Sequence, residues 1–89
     1  MLDATGRSSD AELLLRSARA DLVAALGSEH RDSALAANYL GACLLRQGKE
    51  EEARQLLVGS APAIGAGFPA GSWPREVAEA NLARLGKRR

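Results

Sequence analysis

The chain has 89 residues and a formal net charge of +1, with 46% hydrophobic, 26% charged and 3% aromatic residues. Eighteen alanines and fourteen leucines stand against five β-branched residues, Thr5, Val23, Val58, Ile64 and Val77, a mix that builds helices and starves a sheet. An all-β fold is excluded, the near-neutral charge gives no bias toward nucleic acid or membrane, and the length allows one small domain.

Cys43 is the only cysteine and His30 the only histidine, so there is no disulfide framework and no cysteine-based zinc site. No stretch has the length of a membrane span, and no basic segment followed by an apolar run opens the chain. A cytoplasmic protein is the expectation. Much of the hydrophobic fraction is alanine, which buries little area, so the core is thin and a lone monomer is marginal.

Residues 1–9 carry Gly6, Ser8 and Ser9 without an apolar period and are expected as a flexible lead-in. Ser9 and Glu12 have capping-box spacing. Ala11, Leu14, Leu15, Ala18, Leu22, Ala25 and Leu26 then follow helical spacing, and Gly27 is a natural stop, which predicts a first helix over 10–26. Asp32 or Ser33 can cap a second helix, expected over 33–47, that buries Ala37, Leu40, Gly41, Leu44 and Leu45 and ends at Gly48.

Glu50, Glu51 and Glu52 suit the positive end of a third helix. Its face is Ala53, Leu56, Leu57, Ser60, Ala61 and Ile64, and Pro62 predicts an end or kink near 61–64. The glycines and proline of 65–71 read as a loop. Ser72-Trp73-Pro74 opens a fourth helix, with Val77, Asn81, Leu82 and Leu85 inward and Gly86 as its stop. The helical domain is thus expected over 10–86, and Lys87-Arg88-Arg89 is a soluble basic tail.

A shift of 42 positions superposes the chain on itself. Gly6 falls on Gly48, Arg7 on Lys49, Asp10 on Glu52, Ala11 on Ala53, Leu14 on Leu56 and Leu15 on Leu57. Leu40 falls on Leu82 and Gly41 on Ala83 in the same register. Gly41 and Ala53 are small where two antiparallel helices approach, Leu40, Leu44 and Leu57 fill the space beside them, and Gly48 reverses the chain.

Asn38-Tyr39-Leu40-Gly41, Leu44, Gly48, Glu52-Ala53 and Leu57 resemble the tetratricopeptide repeat (TPR). Ala37 stands where the family has an aromatic residue, and Ser60 where it has alanine. The 42-residue period resembles the long-repeat subtype of kinesin light chains and of repeat regions C-terminal to some bacterial kinase domains. The resemblance implies an all-α antiparallel array of four helices, a TPR-like superhelix fragment. It also implies a concave face lined by Asn38, Ala42, Leu45 and Arg46, with Arg84 and Lys87 adding positive charge. Ala42 replaces the asparagine of the family's carboxylate clamp, and no lysine lies on this helix, so a clamp is not expected.

His30 reads as a capping or solvated residue, lacking the orienting partner of a catalytic imidazole. Cys43 reads as a buried structural thiol. Glu50 to Glu52 point to different sides of a helix and read as a solvated start, not a metal or acid/base site. The glycines at 65–71 lack phosphate-binding spacing. Phe68 and Trp73 read first as packing residues and second as partner anchors. The expected function is protein–protein interaction without catalysis, cofactor, metal, nucleic acid or membrane. The expected partner is a peptide, a larger parent protein or another copy of the chain. The alternative is a small obligate helical homodimer acting as an assembly or regulatory element.

Overall fold

The structure, a computed structural model, describes the backbone of residues 4–87 and the side chains of residues 10–86. Residues 1–3 of the expected lead-in, and Arg88 and Arg89 of the expected tail, lie outside the described residues. Four helices follow one another: α1 (Ala4–Leu26), α2 (Arg31–Arg46), α3 (Glu50–Gly67) and α4 (Trp73–Lys87). No strand occurs among the described residues, so the fold is all-α as expected.

The ends of the helices differ from expectation in informative ways. α1 starts at Ala4, so Ser9 lies inside the helix and does not cap it. No proline interrupts residues 4–9, and each added residue extends a helix already nucleated. α2 starts at Arg31 because His30 is its cap, its Nδ1 accepting a hydrogen bond from the Asp32 N–H at 3.1 Å. Ser33 is buried in the first turn, and its Oγ finds no hydrogen-bond partner among the described residues.

α3 runs through Pro62 to Gly67, taking in part of the expected loop. Proline removes the bond to the carbonyl four residues back. Pro62 and Val58 are both exposed, so that carbonyl lies toward the solvent side. Arg31 supports the last turn, where its Nη1 donates to the Gly67 carbonyl at 2.9 Å and its guanidinium sits 5.3 Å from the Phe68 ring centre. A cation at a helix C-terminus is favourable. α4 likewise continues past Gly86, with Leu85 buried in its last turn.

Short links make successive helices antiparallel. The turn from α2 to α3 is a Schellman motif, with Lys49 N–H donating to the Leu44 carbonyl and Gly48 N–H to that of Leu45. Gly48 supplies the left-handed backbone at φ 83°.

The core is centred on α2, which packs against all three other helices. Leu40, Leu44, Leu45, Ala53, Leu57 and Leu85 form its main cluster, with Leu15, Leu56 and Leu82 against it. A second cluster holds Ala34, Ile64 and Ala78, covered by Ala63 and Phe68. A Cβ added at Gly41 would lie 2.8 Å from Leu57 Cγ, so the glycine sets how closely α2 and α3 approach. The expected inward faces of α2 and α3 are those observed; on α4 Asn81 and Leu85 are buried, Leu82 packs against the core, Pro74 and Ala78 are buried in addition, and Val77 is only half-buried.

α1 is different. Ala11, Leu15 and Leu22 are half-buried, while Leu14, Ala18, Ala25 and Leu26 of the same expected face are exposed. A polar network turns the helix. The Glu12 carboxylate accepts bonds from Gln47 Nε2 at 2.9 Å and Arg16 Nε at 2.8 Å, and Lys49 Nζ lies 3.4 Å away. Arg16 also reaches Glu52 at 2.8 Å, tying α1 to the start of α3.

The Gln47 and Arg16 hydrogen bonds, with Lys49 nearby, hold the Glu12 carboxyl well below its ordinary value of 4.5, at about 2. The folded chain keeps this charge to a lower pH than the unfolded chain. The associated stability is therefore present above about pH 4.5 and is lost as the pH falls toward 2. Thermal melts of the parent are expected to fall across this window, and Glu12→Gln is expected to flatten that part of the profile. An identical profile in the variant would remove Glu12 from the acid response.

Candidate interaction surfaces

α4 starts 42 residues after α2, at Trp73 against Arg31, so this pair of helices keeps the sequence period, whereas α3 starts 46 residues after α1. Both helices run antiparallel to α3, so they lie parallel and side by side. A buried polar chain joins them. Asn81 Nδ2 donates to Asn38 Oδ1 at 2.7 Å, Asn38 Nδ2 donates to Ser60 Oγ at 3.3 Å, and Ser60 Oγ donates to the Leu57 carbonyl at 3.3 Å. Such a chain in an apolar core penalises any other alignment of α4, α2 and α3.

This places the expected partner-binding residues. Asn38 is fully buried, with both ends of its amide engaged inside the core. Ala42 and Leu45 are buried as well. Arg46 and Arg84 are exposed, so of the five they alone offer a whole side chain to a partner. Helical register adds Asp32, Leu35 and Tyr39 on the open side of α2, and Val77 beside them on α4.

Tyr39 and Trp73 stack at this face, with ring centroids 6.3 Å apart and planes inclined by 23°. Trp73 stays 58% exposed, so packing uses only part of its surface. Phe68 instead covers the second core cluster under Arg31. Sequence reasoning passed over Tyr39 as an interaction residue. Its spacing of four from Leu35 and seven from Arg46 was the available signal.

The opposite side carries a cleft of about 340 Å³ between the end of α1 and the middle of α3, lined in part by Arg19, Ser28, Glu29, Gln55 and Ser60. A more open hollow of about 540 Å³ adjoins it at Glu29, Pro62 and Ala63. Neither has a counterpart in the sequence reading, because each is made by elements brought together only in the fold. Cys43 is 1% exposed, with Gln47 Nε2 3.6 Å from its sulfur. Glu52 pairs with Arg16, and Glu51 with Arg54 at 3.9 Å. Among the described residues no group of three or more His, Cys, Asp or Glu side chains is placed to hold a metal ion. No described helix is long and apolar enough to cross a membrane.

Set against protein families, curated proteins and solved structures, the chain matches none of them.

Proposed function

We propose that the chain is a protein–protein interaction module, a TPR-like helical array without catalytic activity. It presents the face shared by α2 and α4 to a peptide or to another copy of itself. The observation that carries this reading is the 42-residue offset between the starts of α2 and α4, equal to the period of the sequence. α4 repeats α2 after 42 residues, so two equivalent helices line one surface. The sequence resemblance at Leu40, Gly41, Leu44, Gly48, Ala53 and Leu57 supports the same reading, since these residues build the α2–α3 contact and turn.

The surface suits an extended segment with an apolar side chain and a carboxylate. Tyr39 and Trp73 offer rigid aromatic area, which dominates interface energies. Arg46 and Arg84 offer guanidinium forks to acidic groups. A peptide display library panned on the immobilised chain tests the proposal. Enrichment of acidic peptides with an aromatic or aliphatic anchor is expected, reduced at least tenfold when Arg46 and Arg84 are both changed to Glu. No enrichment, or enrichment indifferent to these changes, would overturn it.

The second reading, an obligate helical homodimer used in assembly or regulation, is favoured by one observation. Leu13 and Leu14 on α1 are 68% and 72% exposed. Isolated exposed leucines are ordinary, but two adjacent ones on one helix suit an interface.

A further inference from the structure

We infer that the face shared by α2 and α4 is graded in charge along its length, and that its occupant is an extended peptide segment carrying a lysine or arginine about six residues from an acidic residue, with an apolar residue between them. The inference rests on the proposed interaction module and names the chemistry of the partner at that same face.

The gradient follows from helical register. Asp32, Tyr39 and Arg46 stand seven residues apart on α2, a spacing that puts them on one line along the helix. Trp73, Val77 and Arg84, spaced by four and seven, lie on a second line on α4. The Asn38–Asn81 hydrogen bond sets the two helices level, and the Tyr39–Trp73 stack joins the two lines. One end of the face therefore carries Asp32, Glu76 and Trp73, all exposed. The middle carries the half-buried Leu35, Tyr39 and Val77, and the far end the exposed Arg46 and Arg84.

The charges at both ends are largely free of intramolecular partners. Among the described residues, the ion pairs of Glu12, Arg16, Lys49 and Glu52 tie α1 to the start of α3, and Arg54 pairs with Glu51 within α3. Of the four charges on the α2–α4 face, Asp32 alone has such a partner, His30 at 3.9 Å, and that pair exists only when the imidazole is protonated. An ammonium or guanidinium brought to the acidic end meets carboxylates and the open ring face of Trp73. A carboxylate at the far end meets guanidinium forks. The same segment reversed sets like charges together at both ends, so the gradient fixes its direction. From Asp32 to Arg46 the face runs about 21 Å at about 1.5 Å per helical residue. An extended segment, at about 3.3 Å per residue, covers that in about six residues.

The peptide display library tests this. Acidic peptides enriched on the parent chain should carry a lysine or arginine about five to seven positions from the acidic residue. The same library panned on the double variant Asp32→Asn, Glu76→Gln should still enrich acidic peptides, now without the basic residue. Both replacements keep side-chain size at exposed positions, so circular dichroism should report an unchanged helical fold. Fluorescence anisotropy of one enriched peptide should show binding to the variant weakened about fivefold or more. A version of that peptide with glutamine in place of its basic residue should bind parent and variant alike. Acidic peptides without a placed basic residue, or a basic preference that survives in the variant, overturn the inference and leave the interaction module standing. Absence of any enrichment dependent on Arg46 and Arg84 overturns both.

Discussion

Gly41→Leu should abolish the cooperative thermal transition of this chain. A Cβ at position 41 would lie 2.8 and 2.9 Å from Leu57 Cγ and Cδ2 and 3.4 Å from the Ala53 carbonyl oxygen. Leu57 and Ala53 are both fully buried, so neither can swing into solvent. A leucine adds three further carbons to this contact and forces α2 and α3 apart, which separates Leu40 and Leu44 from their neighbours. Overpacking typically costs about 1–3 kcal/mol, and displacing the central helix pair costs more. Small domains have about 5 kcal/mol of stability at the low end, so the loss is comparable with the whole. Gly59→Leu is the control, because a Cβ there meets nothing within 4 Å. Thermal melts followed by circular dichroism decide the matter. A Gly41→Leu midpoint within a few degrees of the parent would mean that the α2–α3 contact is not the centre of the fold.

Asn38→Leu should also destabilise the fold, although leucine is similar in size and more apolar. The change strands Asn81 Nδ2 inside the core and takes one donor from Ser60 Oγ, which keeps its bond to the Leu57 carbonyl. An unsatisfied buried group costs about 1–3 kcal/mol, so a loss of about that size is expected from urea unfolding. The triple replacement Asn38→Leu, Ser60→Ala, Asn81→Leu should recover most of that loss, because it removes every member of the chain together. A single variant as stable as the parent would show that the polar chain adds nothing. A triple variant no better than the single would place the damage in packing.

The array of helices was legible in the sequence because its signals are local. Leu40, Gly41, Leu44, Ala53 and Leu57 have one spacing that suits them all, and they form the α2–α3 contact. The helix ends were less legible because they depend on distant partners. The last turn of α3 is held by Arg31 from α2, 36 residues away in sequence. α1 was read with the correct period and the wrong facing. Its leucines occupy one side of a helical wheel, but Glu12 reaches Gln47 and Lys49 and turns part of that side outward. Asn38 was read as lining an open face, whereas it is buried, because its partners at Ser60 and Asn81 appear only once three helices are assembled.

The central place of α2 has a consequence for how the molecule opens. α2 packs against every other helix, whereas the backbone of α1 comes close to α2 alone. Exposing the amides of α2 to exchange with solvent thus requires loss of the whole fold. Those of α1 open when one helix lifts away, breaking the Glu12 and Arg16 contacts and little of the core. Local opening therefore starts at α1, and the partnership of α2, α3 and α4 outlasts it.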